Sequence, residues 1–272
     1  MASPPPSANV PPVPSGAQPQ VAARTVAAGN GASWWAEAWR LFVPAVAVWL
    51  LIVVIVFVLN LGLAFIPVVG HLASQVLFPV FMGGLMLGCQ AVQRGQPLTV
   101  NHLFAGFSER AGPLLIVGLL YTGIAIAIVL AVAGVLLVFF GVAVFAGFTK
   151  LFMHADPFAV GAALGGILFA VLVGSLLFLL LYLPLLMAIW FAPALVVLRG
   201  LEPWAAMKSS FAGCVQNVLP FLVYGLIGIV LAVAASIPLA LGWLVVGPLS
   251  IASIYTSYRD IFEAGSAGSG PS

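Results

Sequence analysis

Apolar residues fall in long uninterrupted blocks, and polar ones collect in the short gaps between them. A helix rises 1.5 Å per residue and a bilayer's hydrocarbon core is about 30 Å thick, so about 20 apolar residues make one crossing. The first block, residues 43–66, has no charge and one amide, Asn60; Pro67 and Gly70 end it. The second covers 68–90 and carries Ser74, Gln75 and the cluster Gly83, Gly84, Gly88. The third covers 113–140, the fifth 218–240 and the sixth 243–258. The fourth, 158–198, is too long for one straight crossing and leaves no residues for a turn between two. Pro184 and Pro193 interrupt its hydrogen-bond ladder. One kinked crossing is the preferred reading and two crossings the competing one.

The pattern therefore predicts an all-α polytopic transmembrane helix bundle of about six spans. It forms a single membrane domain over 32–263. Residues 1–31, with seven prolines in the first 20, read as a disordered Pro/Ala-rich cytoplasmic tail, and 264–272 as a flexible tail. Short interfacial amphipathic helices are expected in the gaps. One is capped by Thr99 and carries Val100, Leu103, Phe104 and Phe107. A second opens at Pro203 and carries Trp204, Met207, Phe211 and Val215. A third, from Ser33 to Phe42, places Trp35, Trp39 and Phe42 on one face. Trp34, Trp35, Trp39, Trp190, Trp204 and Trp243 suit interfacial anchoring.

Composition sharpens the class. Hydrophobic residues make up 64 % of the chain and charged residues 5 %, with a mean hydropathy of +1.26. Such a chain cannot cover a water-facing surface, which excludes a soluble enzyme. A net charge of +2 is too small for a nucleic-acid footprint. With one crossing at 158–198, Arg24, Arg40, Arg94, Arg110, Arg199, Lys208 and Arg259 share one side and Lys150 takes the other. That asymmetry places both termini in the cytoplasm and the chain in the inner membrane. Two crossings would divide the charges evenly.

The segments Arg94–Pro113 and Arg199–Pro220 repeat one pattern. Each reads Arg-Gly, a proline within four residues, Phe-Ala-Gly, and then a proline seven residues after that glycine. A parallel duplication and chance in a low-complexity chain both account for the match. The candidate partner face comprises Arg94, Phe104, Arg199, Trp204, Lys208 and Phe211. The pairs Gly84/Gly88 and Gly161/Gly165 suit close helix packing, within the chain or between copies.

No catalytic constellation is visible. No carboxylate pair lies near a membrane pocket, and no nucleophile elbow, P-loop or dinucleotide fingerprint occurs. His154 and Asp156 are two metal-type ligands where a structural zinc site wants four. Cys89 and Cys214 read as packing residues. No cofactor is expected. The uncharged groups Asn60, Gln75, Tyr121, Tyr182 and Ser236 are the polar candidates within the spans.

The segments GGLMLGCQAVQRGQPLTVNHLFAGF, WFAPALVVLRGLEPWAAMKSSFAGCVQN and YTSYRDIFE resemble a group of uncharacterised betaproteobacterial multi-pass inner-membrane proteins. More distantly, Arg199–Phe211 resembles membrane domains attached to glycerophosphodiester phosphodiesterases, but no catalytic residue of that activity is there to carry over. The expected function is a non-enzymatic scaffold or partner-binding membrane protein. A carrier of a lipid or small solute is the alternative. The expected partners are membrane lipid and a second copy or another membrane protein.

Overall fold

The computed structural model describes residues 21–154 and 157–263. The proline-rich stretch 1–20, the last residues 264–272 and the His154–Asp156 pair lie outside the described side chains. The order is α1 (Asn30–Phe42), a 3₁₀ turn (Val43–Ala45), α2 (Val46–Ala64), α3 (Val69–Gln93), α4 (Asn101–Glu109) and α5 (Ala111–His154). Then come α6 (Pro157–Trp190), α7 (Ala192–Arg199), α8 (Pro203–Gln216), α9 (Val218–Ser236), α10 (Trp243–Tyr258) and a π-helical turn (Arg259–Glu263). No strand occurs among the described residues.

Five stretches are long and apolar enough to cross a bilayer: Asn30–Ala64, Val69–Gln93, Ala111–Gly141, Leu164–Arg199 and Val218–Ser236. The expected sixth span, 243–258, forms a helix with those bounds, but at 16 residues it is shorter than these five. The third is longer than the pattern predicts, because α5 continues from 140 to His154. The fifth is shorter: Leu239 and Ala240 take left-handed φ values of 51° and 63° and turn the chain after Ser236. The long fourth block contains no reversal. Its one break is at Phe191, between α6 and α7, too short to turn the chain back. Ser210 repairs that break. Its hydroxyl donates to the Met187 carbonyl at 2.7 Å and accepts the Phe191 amide at 2.9 Å.

Successive long helices alternate in direction, so the chain has two ends. Residues 21–29, the Arg-Gly turns at 94–95 and 199–200, and the π-helical turn meet at one, here called the arginine end. The turns at 65–68 and 237–242 form the far end. Burial is concentrated at the arginine end. On α3 the buried run is Pro79–Ala91, whereas His71–Phe78 are not buried. Phe191–Val196, Ala206, Met207, Tyr255, Tyr258, Ile261 and Phe262 complete that core. Far-end side chains such as Phe65, Val138, Leu168 and Leu239 are exposed. Lipid tails are as apolar as leucine, so side chains inside hydrocarbon gain little by leaving it. Where water competes, apolar surface must be covered. The core lies where the charges are.

The duplicated sequence takes duplicated backbone. In α3–α4–α5 and in α6/α7–α8–α9, a long helix ends at a left-handed glycine, a short helix follows, and a kink starts the next long helix. Gly95 and Gly200 have φ of 77° and 69°. The kink residues, each four after the Phe-Ala-Gly glycine, are Arg110 (φ −148°, ψ 40°) and Asn217 (φ −122°, ψ 33°). Leu114 N–H bonds the Arg110 carbonyl and Phe221 N–H bonds the Asn217 carbonyl, both at 3.1 Å. Both units run the same way, as a parallel duplication requires.

Three expectations are corrected. Residues 21–31 are not free tail; they are held against the bundle, and α1 begins at Asn30. The helix from Ser33 to Phe42 is not an interfacial float, since it packs between α9 and α10 with Trp34, Trp35 and Phe42 buried. Thr99 is not the cap of α4. Val100 holds that position, and the Thr99 amide instead donates to His102 Nδ1 at 3.1 Å.

Candidate functional site

The polar side chains of the arginine end are organised around a strap, residues 21–27, which has neither helix nor strand form. Its main chain is read by one side chain. Asn217 accepts the Val26 N–H on Oδ1 at 2.9 Å and donates from Nδ2 to the Arg24 carbonyl at 3.0 Å. In an extended chain those two groups point the same way, so one primary amide spans both. Asn217 is itself 0 % exposed, and Nδ2 also reaches the Gly213 carbonyl at 2.9 Å. The Arg24 N–H bonds the Ile261 carbonyl at 3.0 Å.

Asp260 completes the arrangement. Its carboxylate takes an ion pair from Arg24, a bond from Asn30 Nδ2 at 2.7 Å and one from Trp34 Nε1 at 2.9 Å. Burial works against the ionised form, but the bonds from Asn30, Trp34 and Arg24 outweigh it and hold the carboxyl below its usual range. Beside it lies a cleft of about 330 Å³ lined by Asn30, Ser33, Glu37, Thr256, Arg259, Asp260 and Glu263.

Neighbouring bonds tie the other helix ends to the same region. Arg199 donates to Tyr258 Oη at 3.2 Å and to the Phe262 carbonyl at 2.8 Å. The Gln93 amide, with its oxygen toward Arg259, accepts two guanidinium bonds at 3.0 Å and donates to Tyr255 Oη. Thr256 Oγ1 bonds the Trp34 carbonyl at 2.9 Å, and Trp35 stacks on Tyr224 with centroids 4.8 Å apart.

The expected partner face divides. Phe104, Trp204 and Phe211 are exposed, and Lys208 Nζ sits 5.4 Å above the Trp204 ring. Arg94 is exposed at the Arg-Gly turn. Arg199 does not belong with them, because it is spent on Tyr258 and Phe262. Of the apolar stripes on α4 and α8, Phe104, Phe107, Trp204, Phe211 and Val215 face outward, where an interfacial helix carries them, while Leu103 and Met207 are buried against the bundle. Small residues face inward because the backbones nearly touch. A Cβ on Gly106 would lie 2.1 Å from the Val80 carbonyl oxygen.

The glycine pairs also divide. Gly84 and Gly88 abut His102 of α4, so they serve packing within the chain. Gly161 and Gly165 have open space where a Cβ would stand. The polar residues of the spans use separate partners, local ones except where Tyr121 on α5 reaches Tyr182 on α6. Asn60 donates to the Val56 carbonyl, Gln75 pairs with His71, Tyr121 with Tyr182, and Ser236 with the Ala232 carbonyl and Trp243. Among the described residues no hydrogen bond joins any of Asn60, Gln75, Tyr121 and Ser236 to another, and no group of three or more His, Cys, Asp or Glu could hold a metal. Cys89 and Cys214 are free and buried, and burial pushes the Cys214 thiol up to about 12.

Sequence reasoning missed Asn217 and the role of Asp260. The first could have been found by aligning the duplicated loops, which sets a short amide opposite Arg110. The second was hidden, since Arg-Asp at a span end reads equally well as a membrane anchor.

No family model matches the chain, and no solved structure matches it. A probable inner membrane protein of Burkholderia thailandensis is 28 % identical over 188 residues, 64 % of this chain. The chain matches 63 % of that relative's length. The relative's description and betaproteobacterial source agree with the resemblance drawn from the loop motifs. Together with the apolar helices they make this chain a multi-pass inner-membrane protein.

Proposed function

We propose that the chain is a non-enzymatic membrane scaffold whose arginine end, in the cytoplasm with both termini, is its working surface. The observation that supports this reading is the division of labour at that end. Arg199 and Tyr258 are spent on tying helix ends together, while Phe104, Trp204, Lys208 and Phe211 are left facing outward on α4 and α8. Aromatic and cationic side chains on a rigid support are typical of interfaces. The carrier reading would need polar groups converging within the bilayer; Asn60, Gln75 and Ser236 take separate partners on their own helices or turns, and Tyr121 meets Tyr182 across α5 and α6.

Photo-crosslinking in intact inner membranes tests the proposal. A photoreactive residue at 104 or 204 should give a protein adduct of fixed, saturable mass, and one at 139 on the far half of α5 should give lipid adducts. Lipid adducts alone at all three positions would refute it.

A further inference from the structure

We infer that the cleft between the α8–α9 junction and the C-terminal π-helical turn is a receptor for an extended peptide, and that residues 21–27 are its resident, displaceable ligand. The inference rests on the scaffold reading and deepens it by naming a partner class: an extended segment with an arginine two residues before a small apolar residue.

Three observations carry it. First, recognition falls on main chain and one charge. Asn217 bridges the carbonyl of residue 24 and the amide of residue 26, the Ile261 carbonyl takes the amide of residue 24, and Asp260 takes the arginine. Any chain with an extended backbone and an arginine in that register can make the same bonds, as in strand-addition recognition.

Second, ligand and receptor are unequally fixed. No residue of 21–27 is fully buried, and the Arg24 side chain is 44 % exposed. A segment held by hydrogen bonds, one half-exposed ion pair and the partial burial of Val21, Ala23 and Val26 opens at lower cost than the helices around it. The receptor amide, by contrast, is buried in the bundle, and two of its three bonds go to the strap. Vacating the cleft strands those groups until water or another segment pairs them.

Third, the strap is attached directly to α1, so the resident ligand has a high effective concentration. A partner segment must outcompete it, which makes the site closed by default.

The test uses the full chain in lipid nanodiscs and a fluorescent peptide of residues 21–29, VAARTVAAG. Arg24→Gln loosens the resident segment by removing its charge. Val26→Pro does so by removing its amide donor, without touching a charge. Both changes lie outside the helices. Each variant should bind the peptide at least tenfold more tightly than the wild type. A peptide with glutamine for its arginine should not bind, and adding Asp260→Asn to either variant should abolish binding. In the wild type, the amides of residues 24 and 26 should exchange with solvent at least tenfold more slowly than in Arg24→Gln, with α10 unchanged. Equal peptide binding by wild type and both variants, or by both peptides, overturns the receptor. Adducts at position 204 alongside absent peptide binding would sink the receptor and leave the scaffold standing; peptide binding without adducts would do the reverse.

Discussion

Gly106 of α4 lies against the Val80 carbonyl of α3 so closely that a methyl group on its Cα would stand 2.1 Å from the oxygen. Backbone, not a flexible side chain, fills that space, so substitution forces the helices apart. Gly106→Ala should destabilise the folded protein by about 1–3 kcal/mol. Gly161→Ala, with open space around it, should be neutral or slightly stabilising. Thermal unfolding of the two variants in the same detergent measures the contrast.

Ser210 supplies both hydrogen bonds that the break at Phe191 requires. Removing its hydroxyl leaves a buried amide without a partner. Ser210→Ala should cost about 1–3 kcal/mol, well above a surface serine, and should speed amide exchange at Phe191 selectively.

Asp260 titrates below the ordinary carboxylate value because Asn30, Trp34 and Arg24 favour its ionised form. A depressed folded value stabilises the strap above the unfolded pKa of about 3.9, and that stabilisation disappears as pH falls through the lower folded value. Protection of the Arg24 and Val26 amides, measured against their intrinsic exchange rates, should therefore fall on acidification below about pH 4. Asp260→Asn should show low protection already at neutral pH, independent of pH.

Tyr121 on α5 and Tyr182 on α6 share a hydroxyl–hydroxyl bond within the long hairpin. Polar contacts between membrane helices average about 0.6 kcal/mol. Tyr121→Phe alone should exceed that modestly by stranding its partner, and the double variant Tyr121→Phe/Tyr182→Phe should recover part of the loss. A double-mutant cycle on unfolding free energies reads the coupling.

Fusions of a periplasm-active reporter test the orientation. Activity is expected after Lys150, beyond most of α5, and silence after Lys208, on α8. The opposite pair of results would invert the bundle.

The helices were legible in the sequence wherever the signal was solvent. Charge-free blocks and their flanking prolines and glycines marked α2, α3, α9 and α10, because a bilayer imposes its thickness on composition. The duplicated loops were legible because Gly95 and Gly200 end helices in a conformation that favours glycine. The stripes of α4 and α8 were legible too, and Phe104 and Phe211 do face outward. What spacing does not show is the opposite side of α4, where two backbones in near contact admit only Gly106 and its small neighbours. Arg24, Asn217 and Asp260 stood too far apart in sequence for spacing to relate them.

Tight packing at one end and exposed apolar flanks at the other give the molecule unequal compliance. A change in bilayer thickness acts first on Phe65, Val138, Leu168 and their exposed neighbours. The buried core around Trp34, Phe191, Tyr255 and Tyr258 lies at the other end and backs the outward-facing Phe104, Trp204 and Phe211, so a partner that docks on those side chains meets the same support in membranes of different thickness.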